Sequence, residues 1–200
     1  MKNTKDYYNK TAEEWAKEWY ENETMLPCLK VFMSMLKKNP RILDLCCGAG
    51  YESMRMHQLG ADVVGLDFSK ESIKIARDKN PGIQFHIGNM LEDYSYINQV
   101  DGITVIAGFV HLSNNDLRTA FTQAATILRN EGLMLVVIRE GIGKREKQSY
   151  ITIEGEEYDR EFYAHTLDEL VENSSDVFKF VEEILPDEND FWKKYIFMKV

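Results

Sequence analysis

Residues 41–52 read Arg41-Ile-Leu-Asp44-Leu-Cys46-Cys47-Gly48-Ala-Gly50-Tyr51-Glu52. Arg41–Cys46 is a short apolar run of strand length, and Gly48 and Gly50 punctuate it before a helical stretch that extends to Leu59. Glycines between a buried strand and a helix permit unusual backbone dihedrals and let a ligand approach the main chain.

Working outward, the same alternation recurs. Asp62–Leu66 predicts a second strand, and Ser69 caps a helix stopped by Asn80-Pro81-Gly82. Ile83–Ile87 and Asp101–Phe109 read as strands, Ser113-Asn-Asn-Asp116 opens a helix to Arg129, and Leu133–Arg139 follows the Asn130-Glu-Gly132 turn. Strands alternating with helices of this length imply a mainly parallel sheet covered on both faces. Beyond a polar stretch from Glu140 to His165, Thr166-Leu-Asp-Glu169 caps another helix. The runs Val177–Leu185 and Phe191–Val200, separated by Pro186–Asp190, then predict a hairpin. The expectation is an α/β fold, a doubly wound seven-stranded mainly parallel sheet closed by an antiparallel C-terminal hairpin strand. One domain would span 1–200: a helical arm at 1–40, a core at 41–139, a lid insertion at 140–165, and the helix and hairpin at 166–200. Within the arm, Thr11-Ala-Glu-Glu14 reads as a capping box, and Leu29, Phe32, Met33 and Leu36 mark a second helix after Pro27.

Composition narrows the function. With 44% hydrophobic and 28% charged residues, the chain is globular, and a chain of 200 residues buries about 70% of its surface on folding. No run of 18 apolar residues predicts a membrane span, and the N-terminus lacks the apolar segment of a signal peptide. The net charge of −9 is concentrated at the end, because residues 151–200 hold 14 acids against 5 bases. That distribution argues against nucleic acid and for a small-molecule partner in the cytoplasm. Cys28, Cys46 and Cys47 have no metal or disulfide spacing, and His57, His86, His111 and His165 form no zinc pattern, so no metal is expected.

In a doubly wound sheet the ligand sits at the carboxyl ends of the strands. Asp44 lies there, suited to accept from a ligand ammonium, and Asp67 follows at the end of the next strand, suited to a ribose. A glycine turn or a capping aspartate explains either alone; together they point to a nucleoside. The dinucleotide pattern G-x-G-x-x-G is broken, because Ser53 replaces its third glycine, and Asp44 would repel a pyrophosphate.

Asp44-Leu-Cys-Cys-Gly48-Ala-Gly50 resembles the glycine-rich motif of the class I (Rossmann-like) S-adenosylmethionine-dependent methyltransferases, small bacterial type. The resemblance covers about residues 41–138 and implies S-adenosylmethionine as cofactor, with S-adenosylhomocysteine as product. It implies that Asp44, Gly48 and Gly50 line the methionine end, Asp67 holds the ribose and Phe68 flanks the adenine. Asn89, where the family commonly has Asp, and Met90 would contact the adenine edge. Ala107 to His111 would lie near the sulfonium and the acceptor. Cys46 stands where the family most often has glycine, and reads as a small side chain tolerated in the cofactor loop.

His111 is the candidate general base, a neutral imidazole poised near pH 7; a loop histidine bonded to backbone is the plainer reading. His57 and His86 read as structural. The acceptor pocket is expected from the aromatic arm (Tyr7, Tyr8, Trp15, Trp19, Tyr20) and from the 140–165 stretch with Arg139 before it. Within that stretch, Tyr150, Tyr158, Arg160, Phe162, Tyr163 and His165 are interleaved with acids. The function so implied is methyl transfer to a small-molecule acceptor. Alternatives are a non-catalytic nucleoside-binding regulatory domain and an NAD(P)-dependent oxidoreductase. Oligomeric state is not readable from the sequence.

Overall fold

A computed structural model describes residues 1–185 and 191–200. Its centre is a seven-stranded sheet in the order β10-β11-β5-β4-β1-β2-β3. The strands are β1 (Arg41–Leu45), β2 (Asp62–Asp67), β3 (Gln84–Ile87), β4 (Val100–Ile106), β5 (Leu128–Arg139), β10 (Phe178–Glu183) and β11 (Trp192–Lys199). β1 pairs in parallel with β2 and β4, while β11 runs antiparallel between β5 and β10. The expected α/β architecture is therefore present. The Pro186–Asp190 connection of the hairpin lies outside the described residues.

The alternating side chains of the strands divide the core in two. Leu43, Leu45, Val64 and Val105 pack on one face with α5 (Asn114–Ile127) and α7 (Leu167–Ser174). Ile42, Val63, Leu135 and Ile196 pack on the other with α2 (Leu26–Met35), α3 (Tyr51–Gln58) and α4 (Lys70–Lys79). Because both faces are covered, the strands are apolar almost throughout. The strand order reverses between β4 and β1, which opens a crevice at their carboxyl ends.

Three local expectations are corrected. Helix α1 (Thr4–Tyr20) begins earlier than the Thr11 box, because Asn3 and Asp6 form a capping box of their own upstream. Thr11 falls inside the helix and its hydroxyl donates to the Tyr7 carbonyl at 2.9 Å. The Asn130–Gly132 turn is absorbed into β5, whose register to β4 jumps between Val100 and Gly102 while Glu131 takes φ of +60°. The stretch expected as a polar loop folds into two small ribbons. In one, β6 (Gly143–Lys144) pairs with β9 (Tyr163–Ala164). In the other, β7 (Tyr150–Ile153) pairs with β8 (Glu156–Asp159), turned at Glu154-Gly155 with φ of +50° and +80°. Between the ribbons' outer strands, α6 (Glu146–Ser149) makes one turn. Two positive dihedrals at a two-residue loop suit the twist of a tight hairpin.

The two ends of this architecture meet. Lys2 N–H donates to the Glu157 carbonyl at 2.9 Å, and Asp159 N–H donates back to Lys2 at 2.8 Å. The Tyr7 and Tyr158 rings meet edge-on at 6.1 Å. The N-terminal helix and the 140–165 segment thus form one cap over the crevice.

Candidate active site

The floor of the site is built by the loops that leave β1, β2 and β4. Cys46 N–H and Cys47 N–H both donate to the Leu66 carbonyl, at 2.7 and 3.1 Å, which draws the first loop against β2. Cys46 and Ala107, each just past a strand end, hold left-handed backbones at φ of +65° and +57°. Such dihedrals in non-glycine residues cost energy and gather at functional loops. Gly50, at φ of +82°, caps α3, and a Cβ there would lie 2.9 Å from the Phe85 ring and 3.0 Å from Ala76. No other residue fits that turn without displacing its neighbours.

Asp67 is the hub of this floor. Its Oδ2 accepts from Gly48 N–H at 2.9 Å and its Oδ1 from Ser69 N–H at 2.8 Å. The same carboxylate therefore shapes the glycine loop and lines the cavity beside it. Burial pushes its carboxyl up to about 6, opposed by those backbone donors. Asp44 is equally buried but turned away. Ser53 donates to Oδ2 at 2.5 Å and Thr104 to Oδ1 at 3.0 Å, the latter set opposite it by the β1–β4 register. Its carboxyl is also pushed up to about 6, by desolvation. Asp44 thus braces α3 and β4 from below and is not on the cavity wall.

A carboxylate on the wall is one that sequence reasoning missed. Glu52 is 3% exposed, lines the cavity, and neither of its oxygens has a hydrogen bond among the described residues. Arg55, its ion-pair partner at 3.1 Å, gives its other nitrogen to the Trp19 and Tyr20 carbonyls at the end of α1. Burial pushes the Glu52 carboxyl up to about 7. In the sequence Glu52 looks like an ordinary first-turn helix acid, favoured there by the helix dipole; its position two residues after the second glycine is the only signal it offered.

The roof comes from the cap. Tyr8, Trp15 and Trp19 of α1 face the cavity together with Arg160 and Phe162, and Trp192 enters from β11. The Tyr8 ring meets Phe68 at 6.2 Å and His111 at 5.2 Å, both edge-on. His111 Nδ1 lies 2.7 Å from the Glu161 carbonyl, which can only accept, so the ring proton sits on Nδ1. The Nε2 lone pair then accepts from the Tyr8 hydroxyl at 2.8 Å. Burial pulls the imidazole down to about 4, below the poise near pH 7 expected from the sequence.

The enclosed volume is about 170 Å³. Of the residues expected from the sequence to hold a cofactor, Cys46, Gly48, Asp67, Phe68, Met90 and Ala107 line it, together with His111. Gly50 shapes the turn behind it. Asn89 is exposed outside it, its side-chain oxygen accepting from Leu91 N–H at 3.1 Å.

Among the acceptor-pocket expectations, the cavity brings in Tyr8, Trp15, Trp19, Arg160 and Phe162. The others lie outside its lining. The Tyr20 hydroxyl donates to the Ala49 carbonyl and accepts from Asn80, both at 2.7 Å, holding the glycine loop from outside. Tyr158 is 1% exposed and packs on Tyr7. His165 is buried, with Nε2 3.1 Å from the Phe109 carbonyl, and Tyr163 stacks on it. Arg139 lies over the Phe191 and Trp192 rings. His57 and His86 contact the Ala61 carbonyl and the Tyr96 ring, away from the cavity.

Comparison with known proteins bears on this arrangement. A family model described as a methyltransferase domain matches residues 42–132. Over that span the chain is similar to methyltransferase domains, and its fold is that of solved S-adenosylmethionine-dependent methyltransferases.

Curated relatives include a ubiquinone biosynthesis O-methyltransferase of Pelagibacter ubique, 30% identical over 127 residues, covering 60% of this chain and 50% of that protein. A demethylmenaquinone methyltransferase of Chlorobaculum parvum is 32% identical over 102 residues, covering 50% and 42%. The chain spans half or less of the length of these relatives. A 1,6-didemethyltoxoflavin-N1-methyltransferase of Burkholderia thailandensis, solved with S-adenosylhomocysteine, superposes with a TM-score of 0.74 at 16% identity, covering 98% and 87%. A TehB-like methyltransferase of Corynebacterium glutamicum gives 0.72 at 15%, covering 96% and 99%. At such identities the superpositions speak for the fold alone.

The donor set of this site fits an aminoacyl nucleoside. A carboxylate at the end of β2 suits vicinal hydroxyls, and the Glu52 carboxylate on the same wall, ion-paired to Arg55 on one side only, suits a cationic ammonium. No helix among the described residues is long and apolar enough to cross a membrane.

Proposed function

We propose that this chain transfers a methyl group from S-adenosylmethionine to a small-molecule acceptor. The observation that carries the reading is the cavity at the sheet's switch point, floored by the Gly48–Asp67 hydrogen bond and roofed by aromatic side chains. When bound, the cofactor would supply a methyl carbon activated by a sulfonium leaving group. The chain's own task is then alignment and the exclusion of water.

In this reading Asp67 holds the ribose while Cys46, Gly48 and Ala107 leave room for the donor. Tyr8, Trp15 and Phe162 close over a flat acceptor. His111 offers its unprotonated Nε2 to the Tyr8 hydroxyl and holds that side chain across the cavity mouth. As a base it is weak, because an imidazole titrating near 4 has little affinity for a proton at neutral pH. Its better role is to position Tyr8. We further place the chain in the cytoplasm, for which the free thiols of Cys46 and Cys47 argue. The acidic tail argues against nucleic acid as the partner. Ubiquinone- and menaquinone-pathway relatives support a small, flat acceptor.

The test is turnover of S-adenosylmethionine labelled in its methyl group against a panel of quinols, phenols, heterocycles and amines. Label appearing in one acceptor is the expected result. Tight S-adenosylhomocysteine binding with no transfer to any panel member would favour a non-catalytic binding domain.

A further inference from the structure

Two buried guanidinium groups flank this cavity, and their surroundings differ. Arg55 is 4% exposed and has the Glu52 carboxylate at 3.1 Å. Arg160, 9% exposed and on the cavity wall, has no carboxylate within ion-pairing distance among the described residues. Its partners are neutral. Nε and Nη2 donate to the Gln148 carbonyl at 3.2 and 2.9 Å, and Nη1 reaches the Tyr7 hydroxyl at 3.5 Å. The guanidinium lies 4.8 Å over the Tyr7 ring and 5.3 Å over the Phe162 ring.

Those contacts orient Arg160 without neutralising it. A carbonyl bond could be made by a neutral amide, and cation–π attraction is smaller than the cost of taking a guanidinium out of water. Buried charges are ordinarily paired or used. Orientation toward the cavity by two aromatic faces and a main-chain anchor leaves the group pre-set for an anion that the described residues do not supply. The anion's neighbours would be the Tyr8 hydroxyl and the aromatic roof, which suits a flat ring.

We propose that Arg160 selects a planar acceptor bearing an acidic oxygen, bound as its anion against the guanidinium. The inference rests on the methyltransferase reading above and names its substrate class. By itself, the acidic tail would favour a neutral or cationic acceptor. The cavity reverses that expectation, because a charge in the low-dielectric wall acts more strongly than screened charges on the surface. Binding would release the acceptor's proton to water, so an ionised nucleophile would be presented without a strong base.

The experiment uses the full chain saturated with S-adenosylhomocysteine and matched probes: 4-nitrophenol against 4-nitroanisole, and benzoate against benzamide. Binding is read by quenching of tryptophan fluorescence, and the ionisation state of 4-nitrophenol by its phenolate absorbance. The expected result is at least a tenfold preference for each anionic member, with 4-nitrophenol bound as phenolate below the pH at which it ionises free. Arg160→Gln should erase the preference, and Arg160→Lys should keep part of it. Equal binding of charged and neutral members, no binding of either anion, or an unchanged preference in Arg160→Gln overturns the proposal. Should Arg160→Gln fail to fold, the wild-type preference and Arg160→Lys decide. If S-adenosylhomocysteine itself does not bind, the methyltransferase reading fails instead.

Discussion

The floor and the roof of this cavity are built in opposite ways. The floor is made of strand-end loops held by short main-chain bonds: Cys46 and Cys47 to Leu66, Gly48 to Asp67, Ser69 to Asp67. Its charged groups are acids, Asp67 and Glu52 on the wall with Asp44 behind them. The roof is assembled from the chain's beginning and from a segment some 150 positions later (158 minus 8), joined through Lys2–Glu157, Tyr7–Tyr158 and Arg160–Tyr7. Its buried charge is the single cation Arg160 among the described residues lining it. The difference separates two tasks under the proposed function, a floor that would hold the cofactor and a roof that would choose the acceptor. Cofactor affinity should follow the floor, and acceptor choice the roof.

Removing the roof gives the largest expected effect. Deletion of residues 1–20 should lower methyl transfer by roughly 100-fold or more, since acceptor alignment and water exclusion go with it. S-adenosylhomocysteine affinity, measured by calorimetry, should change far less. Equal losses in both would erase the division between floor and roof.

Next is Asp67→Ala on the floor. It takes the acceptor from the Gly48 and Ser69 N–H groups and the charge from the proposed ribose site. S-adenosylhomocysteine binding should weaken by about 1.5–3 kcal/mol. Unchanged affinity in calorimetry would remove Asp67 from the cofactor site.

Asp44→Asn separates a brace from a ligand. The native carboxyl binds its proton more tightly, at about 6, than an unfolded aspartate does. The wild type therefore loses stability as pH rises from about 4 through about 6. The asparagine variant should match it near pH 4 and exceed it above pH 6, by up to roughly 2 kcal/mol. Chemical denaturation at both pH values checks this, and a variant less stable at pH 8 would mean that the charged bonds from Ser53 and Thr104 outweigh burial.

The smallest effect sharpens the floor itself. Glu52→Gln should weaken S-adenosylhomocysteine by about tenfold, near 1.4 kcal/mol, while leaving methylthioadenosine, which has no ammonium, unaffected. Equal weakening of both ligands would make Glu52 only the anchor of Arg55.

How far each part was legible follows from the same division. Strand β1, the glycine loop and Asp67 lie within 27 residues (41 to 67) and announce themselves through apolar runs and glycine punctuation. The hairpin of β7 and β8 had a signal too, in the Ile151-Thr-Ile153 alternation before Glu154-Gly155; its acidic residues made it look like a loop. Asp44 was placed at the right strand end, but whether its carboxylate faces a ligand or Thr104 depends on the register between β1 and β4. Tyr20 and Tyr158 are aromatic like Tyr8 and Trp15, and only packing separates the supports from the wall.

By itself, then, the sequence determined the order of strands and helices in the seven-stranded core, the doubly wound sheet with its antiparallel close, and the glycine loop followed by Asp67. These depend on periodicity and on dihedrals that few residues adopt, and both act between near neighbours in the chain. Only the tertiary structure decided that Glu52 stands on the cavity wall with Arg55 as its ion-pair partner, that His111 carries its proton on Nδ1 beneath Tyr8, and that Arg160 stands beside the site with no carboxylate in ion-pairing distance among the described residues. Burial and pairing are set by residues distant in the chain, and they fix the charge and proton affinity on which the chemistry depends.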